Sequence, residues 1–120
     1  AEIAAEVMAI LGHADFAALF GPGSQAEVSL VGDVSGTIIS ARMDRLLITK
    51  RAVSIIDYKT NRLPPAAVEE VPAIYLTQMA TYRAALRRIY PVRPVRCFLL
   101  WTVKADLMAL PEPLLDQYAP

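Results

Sequence analysis

Apolar residues follow two different spacings along the chain, and the change of spacing separates helical segments from extended ones. Near the start, four apolar residues recur at the spacing of one helix face, and this spacing predicts a helix over residues 2–11. The four residues are Ile3, Val7, Ile10 and Leu11. Gly12 ends this segment, and the next residues allow one further short helical turn before the run GPG.

Three extended segments follow, and they predict an antiparallel meander. In the first, AEVSLVG, the apolar Val28 and Leu30 alternate with Ser29 and Val31, as the two faces of a strand require. The second is SGTIISARMDRLLIT, and the third is KRAVSIIDYKT. Both are rich in β-branched residues, and they are separated only by a short polar stretch.

The second half of the chain predicts one long helix and one or two more strands. The loop NRLPPAAVEEVP precedes the helix AIYLTQMATYRAALRRIY, whose far end carries arginines that suit the helix dipole. VRCFLLWTV is almost wholly apolar, which is typical of a strand in a sheet covered on both faces. ADLMALP predicts a short partner strand, whereas PEPLLDQYAP has no clear pattern. The order predicts an α/β fold, a mixed sheet with flanking helices.

Composition limits the class of protein. A chain of 120 residues fits a single domain, and 55% hydrophobic with 20% charged residues is a globular composition. No apolar run reaches the roughly 18–20 residues of a membrane span. The net charge of zero weighs against nucleic-acid binding as the only role, but leaves room for a local basic groove. The single Cys97 lies in an apolar run, so we expect it to be a small core residue. One cysteine cannot form an internal disulfide, which is consistent with a reducing compartment.

The hairpin that turns at Lys50 and Arg51 brings charged residues together. Turns of two or of four residues give the same register, and it places three pairs on one face: Leu46 with Ile55, Asp44 with Asp57, and Arg42 with Lys59. Facing residues have Cβ atoms about 4.5–5.5 Å apart, so two facing carboxylates repel each other. A divalent cation such as Mg²⁺ or Mn²⁺ between them would turn that repulsion into attraction.

Lys59 follows Asp57 on the same predicted face, where an ammonium can hold an attacking water or neutralise charge on a phosphorus. Two carboxylates and a lysine are the groups that metal-assisted phosphodiester hydrolysis needs. The alternative interpretation, given equal weight, is a solvated strand end in which Arg42 and Arg45 pair with the acids. A register slip of one residue would also move Asp44 to the other face.

The segments ARMDRLLI, SIIDYKTNR and YLTQMATYRAAL, in that order, resemble the PD-(D/E)XK nuclease superfamily. More narrowly, they resemble the C-terminal nuclease domain of AddA/RecB-type double-strand-break repair helicase–nucleases, with the AddA side closer. The resemblance covers about residues 27–101. It implies a restriction-endonuclease-like sheet and a single nuclease domain over residues 1–120. It also implies a DNA exonuclease activity that depends on Mg²⁺ or Mn²⁺ and serves homologous recombination. The implied location is the bacterial cytoplasm, at the nucleoid, with no membrane as partner.

The resemblance assigns roles to residues of the hairpin. Asp44 and Asp57 correspond to the metal-binding aspartates, and the main-chain carbonyl of Tyr58 corresponds to a further metal ligand. Lys59 corresponds to the catalytic lysine. Implied partners are DNA and a second, AddB-like subunit of the helicase–nuclease.

The long helix adds Gln78 and Tyr82, which match the helix motif and share one helix face because they are four residues apart. Gln78 would orient the lysine, a water or DNA, and is counted with the catalytic residues. Tyr82, Arg42 and Arg62 would contact DNA. Tyr82 equally fits a structural stripe on that helix: Tyr75, Met79, Tyr82 and Leu86.

The chain departs from the family pattern in two places. Ala41 stands where the family has Gly, three residues before the first aspartate. The upstream metal-binding His also has no counterpart, since His13 lies in the unrelated run LGHADF. We therefore expect a chain truncated at its N-terminus, with the missing helix before residue 1 and an incomplete metal site here. Glu27 is expected to serve structure or DNA contact rather than metal.

No phosphate loop of the form G-x-x-x-x-G-K-[ST] occurs in the sequence, so ATP would act only at a helicase part that lies elsewhere. The alternative function is a non-catalytic DNA-binding or subunit-docking domain with an incomplete metal site.

Overall fold

The computed structural model describes residues 24–34, 36–61 and 63–120. The helix predicted over residues 2–11, together with His13 and Arg62, lies outside the described residues. The described part contains five strands and two α-helices, in this order: β1 Ser24–Val34, β2 Thr37–Ile48, β3 Val53–Lys59, α1 Ala73–Ile89, β4 Val95–Trp101, β5 Asp106–Leu110 and α2 Glu112–Asp116. A short 3₁₀-helix, Val68–Glu70, precedes α1.

The five strands form one mixed sheet in the order β1-β2-β3-β4-β5. β2 is antiparallel to both β1 and β3, as the meander predicts, and β5 is antiparallel to β4. β3 and β4 are parallel, so the chain must cross over between them, and α1 makes that connection. The predicted α/β class is thereby confirmed, and ADLMALP supplies the short partner strand.

Residues 49–52 form the β2–β3 turn and fix its register. The N–H of Thr49 donates to the Ala52 carbonyl at 2.9 Å, and the Thr49 hydroxyl oxygen accepts N–H bonds from Arg51 and Ala52. Leu46 then lies opposite Ile55, as predicted. The regular ladder ends at the pair of Arg45 and Ile56, so Asp44 and Asp57 lie just beyond it.

β2 changes the face that it presents to the core at Asp44. Met43 and Leu46 both contact the main core, although strict alternation would place them on opposite faces. On the neighbouring strand β1, Glu27 lies opposite Asp44 and has a φ of 53°. These two residues do not pair in the β1–β2 ladder, although the residues on either side of them do. One prediction is therefore wrong. Arg42 does not share the face of Asp57, because both of its neighbours, Ala41 and Met43, point into the core.

The main core lies between the sheet and α1. Its fully buried side chains include residues of β3, β4 and α1: Val53, Ile55, Leu99, Trp101, Leu76, Met79 and Leu86. A smaller cluster on the other face centres on Ile56 and Leu100. β3 and β4 are therefore covered on both faces, which explains why β4 lacks polar alternation. Cys97 is 2% exposed, as predicted for a core residue, and its burial raises the pKa of its thiol to about 12.

α1 begins after Pro72, which needs no backbone hydrogen bond of its own at a helix start. Its last turn carries Arg87 and Arg88, as the dipole argument predicts. The C-terminal run without a clear pattern forms α2, a helix of five residues whose Leu115 is 1% exposed. Within the described part of the chain, no helix is long and apolar enough to cross a membrane.

Candidate active site

Charged residues gather where β3 leaves the sheet, beside β2 and the first turns of α1. Asp57 is only 8% exposed, and the side chain of Lys59 is 14% exposed. This burial argues against the interpretation of the two residues as a solvated strand end. Their position follows from the turn at residues 49–52, which sets how far β3 runs past β2.

Asp44 is held by the backbone of the neighbouring strand. Its Oδ2 accepts the N–H of Tyr58 at 2.7 Å. The carboxylate thus takes the place of a strand carbonyl at the point where the ladder ends, and it satisfies a donor that would otherwise lack a partner. A charge-assisted bond of this kind fixes the direction of the carboxylate relative to β3.

Asp57 is a carboxyl group whose ionised form is disfavoured by its surroundings. Burial, and next the hydrogen bond with the Asp44 side chain, raise the pKa of Asp57 to about 6, against the opposing effect of Lys59. The two carboxyl groups therefore meet, as the sequence predicts. At neutral pH they form a concentrated pair of negative charges.

Lys59 is fixed at its main chain and at its side chain. Its Nζ lies 2.5 Å from Oδ2 of Asp57 and 4.1 Å from the centre of the Tyr75 ring. Its carbonyl accepts the Thr102 N–H at 2.9 Å and the Thr102 hydroxyl at 3.3 Å. An ammonium over an aromatic face is attracted by the ring quadrupole, so the ring adds a second restraint to the ion pair.

Tyr75 belongs to the site, although its sequence pattern predicts only a place in a structural stripe of the helix. The Tyr75 hydroxyl lies 3.2 Å from Nδ2 of Asn61, and its ring leans against Trp101 with 6.2 Å between centroids. Tyr75 precedes Gln78 by three positions, so the two share one side of α1. That spacing is a signal from which the sequence could have placed it near the site.

Gln78 and Tyr82 contact each other. Nε2 of Gln78 donates to the Tyr82 hydroxyl at 3.0 Å, and the Tyr82 ring also contacts the main core. Among the described residues, neither makes a hydrogen bond with the two aspartates or the lysine. Tyr82 therefore has the structural contacts of the core stripe, and its contact with DNA stays a prediction, like the catalytic role of Gln78.

The arginines near the hairpin have partners other than the two aspartates. Arg42 lies 3.8 Å from Glu27, and both side chains are 74% exposed, so this pair contributes little stability. Nε of Arg45 donates to the Ser24 hydroxyl at 3.0 Å, and its charge opposes the rise in the pKa of Tyr58 that burial causes. The cation that accompanies Asp57 is Lys59.

The donor set suits a hard divalent cation. Asp44 and Asp57 place two carboxyl groups in contact, and their mutual repulsion is what bound positive charge would relieve. Oδ2 of each already has a partner, but a carboxylate has about four acceptor sites and retains capacity for a metal. Within residues 24–34, 36–61 and 63–120, no third His, Cys, Asp or Glu completes a group. The carbonyl of Tyr58 and water would be the remaining ligands.

An acid pair and a lysine thus lie at the end of the central strand of the mixed sheet. A family model of the PD-(D/E)XK nuclease superfamily matches residues 2–113, and the chain belongs to that superfamily. Membership indicates phosphodiester hydrolysis of nucleic acid. No curated protein matches the chain. Among solved structures it is similar to one described as "Crystal structure of SSO0001", at 14% identity and a TM-score of 0.47. The match covers 92% of this chain and 54% of that one, so this chain spans about half of its length.

Proposed function

We propose that the domain is a metal-dependent DNA nuclease that works as an exonuclease in double-strand-break repair by homologous recombination. The observation that supports this proposal most strongly is the contact between Asp44 and Asp57, with Lys59 paired to the second carboxylate. The ordered segments ARMDRLLI, SIIDYKTNR and YLTQMATYRAAL support the AddA/RecB-type context. An AddB-like second subunit and a location at the bacterial nucleoid belong to the same proposal.

In this proposal, Asp44, Asp57 and the Tyr58 carbonyl would hold Mg²⁺ or Mn²⁺. When bound, the ion supplies a more acidic water and stabilises charge on the leaving oxygen. The protein keeps the two carboxylates in place through the Tyr58 N–H on one side and the Lys59 ammonium on the other. Because these contacts exist before substrate arrives, little reorganisation accompanies the reaction.

Lys59 is proposed to act on the phosphate or on the attacking water. An ammonium has three N–H donors, and the ion pair with Asp57 engages one of them. The remaining donors are available to hold water or a phosphate oxygen in line for attack. Gln78 and Tyr82 would assist on the helix side, while Arg42 and Arg62 would contact the DNA backbone.

The test of catalysis compares charge-neutral variants at two acids. D57N is expected to lower Mg²⁺-dependent hydrolysis of linear DNA by about 100-fold or more, since it removes a metal ligand and the partner of Lys59. D33N changes the same charge at an exposed position of β1 and serves as the control. Wild-type cleavage by D57N would contradict the proposal. Preference for linear over covalently closed circular DNA would support the exonuclease assignment.

A second candidate function is DNA binding or subunit docking without cleavage. The observation that favours it is that, among the described residues, no third acid, His or Cys joins Asp44 and Asp57 at the site, which predicts weak metal binding. Titration with Mn²⁺, followed by calorimetry and by electron paramagnetic resonance, separates the two functions. Nuclease function predicts saturable Mn²⁺ binding that D57N abolishes. Equal DNA binding in EDTA and in Mg²⁺, with no cleavage and no Mn²⁺ uptake, would favour the second function.

A further inference from the structure

Arg83 is a buried arginine in the middle of α1, and most of its hydrogen-bonding capacity is unused. Its side chain is 2% exposed, and its Nη2 donates to Oδ1 of Asp116 at 2.7 Å. Its Nε and Nη1 are shielded from solvent and have no hydrogen-bond partner. A guanidinium is always charged, and burying it with unsatisfied donors is costly. Asp116 is itself 62% exposed, so it balances the charge only from one side.

Arg83 also lines a cavity of about 250 Å³. Three arginines of α1 contribute to its walls, namely Arg83, Arg87 and Arg88, and small residues form much of the remainder. Among the described residues, no acidic side chain lines it. The lining is therefore strongly positive, and its small apolar residues leave space for a compact ligand.

The three arginines around this cavity differ in their partners. Arg83 pairs with Asp116, and Arg87 lies 3.6 Å from Glu112, a pair in which both side chains are about half exposed. Arg88 is exposed and has neither an ion pair nor a hydrogen bond with any described residue. Arg83 and Arg87 thus have one acidic partner each, whereas Arg88 has none among the described residues. A small anion with several acceptor oxygens would complete this arrangement.

We propose that this cavity, which we call the α1–α2 anion site, binds a phosphate group. Phosphate carries several strong acceptors that match the forked donors of arginine, and two or three arginines around one cavity are suited to it. Arg88 and Arg87 hold the anion from the solvent side, and the Arg83 charge attracts it from the core side. The phosphate belongs either to a DNA backbone or to a free phosphate or nucleotide.

The α1–α2 anion site is distinct from the proposed catalytic site. Tyr75, which contacts Lys59, lies eight positions before Arg83 on the same helix, so about 12 Å separate them along the axis. Arg87 and Arg88 lie more than one turn further away. The proposal therefore does not depend on nuclease activity, and binding is expected to persist in D57N.

The test is a titration of the ¹⁵N-labelled protein with inorganic phosphate, at constant ionic strength set with chloride because salt screens exposed charges. Saturable amide shifts are expected in the second half of α1 and in α2. R88A is expected to weaken phosphate binding about 10-fold or more, the loss expected for one charge-assisted hydrogen bond. R51A removes the same charge from the exposed β2–β3 turn and is expected to titrate like the wild type.

Two further measurements complete the test. R83M removes the buried charge and R83K retains it, so R83M is expected to bind phosphate more weakly than R83K, with the fold of both monitored by the same spectra. A nucleoside 5′-monophosphate and a single-stranded oligonucleotide without terminal phosphate then identify the source. Shifts with the oligonucleotide that R88A weakens indicate a DNA backbone, and shifts restricted to the free ligands indicate a nucleotide or phosphate. Equal titration of R88A and R51A, or the absence of saturable shifts with all three ligands, would overturn the proposal.

Discussion

The pKa of the Asp57 carboxyl group is raised from an ordinary value of 3.8 to about 6, mainly because the group is buried. Between about pH 4 and pH 6 the folded protein therefore retains a proton that the unfolded chain has released. Stability rises with pH only where the unfolded state binds more protons, so here the Asp57 contribution falls as pH rises through this window. In metal-free protein we expect D57N to remove this fall.

The measurement is urea unfolding in EDTA at pH 4 and pH 7. The free energy of unfolding of D57N minus that of the wild type is expected to be about 1–2 kcal/mol larger at pH 7 than at pH 4. One pKa unit corresponds to about 1.4 kcal/mol, and solvent reduces the full effect. D33N, at an exposed acid, should follow the wild-type curve. If the difference between D57N and wild type did not change with pH, the environment deduced for Asp57 would be wrong.

Tyr75 holds the Lys59 ammonium through its ring, while its hydroxyl contacts Asn61. Replacing the ring in Y75L should lower the cleavage rate about 3- to 30-fold, which corresponds to a cation–π contribution of about 0.7–2 kcal/mol. Y75F retains the ring and loses only the hydroxyl, so its rate should stay within about 3-fold of the wild type. If Tyr75 had only a structural role, the cleavage rates of Y75L and Y75F would instead follow the free energies of unfolding of the two variants.

A spectroscopic measurement distinguishes these roles without any cleavage assay. The Lys59 methylene protons should show an upfield ring-current shift that persists in Y75F and disappears in Y75L. Unchanged Lys59 shifts in Y75L would show that the ring does not position the ammonium.

At the scale of elements, the β2–β3 hairpin shows both what the sequence predicts and where it falls short. The register follows from local causes, a short polar turn at residues 49–52 and alternating apolar residues beside it, and the structure confirms it. The change of face at Asp44 does not follow from alternation. It accompanies the bond from the Tyr58 N–H to Asp44, which depends on a neighbouring strand. α2 is too short for its pattern to stand out from a loop.

The bond between Asp44 and Tyr58 predicts a local effect on the end of the ladder. In D44A the Tyr58 amide loses its acceptor, so we expect its hydrogen exchange to accelerate about 10-fold or more, consistent with a bond to a charged group worth about 1.5–3 kcal/mol. D44N retains an acceptor oxygen and should exchange at an intermediate rate. The amide of Ser54, within the regular ladder, is the internal reference. Equal acceleration at both amides would indicate loosening of the whole hairpin.

At the scale of the whole molecule, α1 connects two sites of opposite charge. Its first turns place Tyr75 over Lys59, and its second half carries the arginines of the α1–α2 anion site. Between these ends, Leu76, Met79 and Leu86 anchor the helix to the sheet. A helix fixed in this way keeps a constant spacing between the two sites, so one DNA strand that contacts both would meet them at a defined separation.

α2 stabilises the domain through one buried side chain rather than through its own length, because five residues cannot sustain a helix alone. Leu115 is 1% exposed and belongs to the main core, whereas Leu114 is only partly buried. L115A is therefore expected to lower the free energy of unfolding by about 2–5 kcal/mol, and L114A by clearly less. Urea unfolding with an unchanged m-value measures this difference. Since α2 does not touch Lys59, DNA cleavage per folded molecule should be the same in both variants. Equal losses of stability would mean that α2 is held mainly by its ion pairs to Arg83 and Arg87.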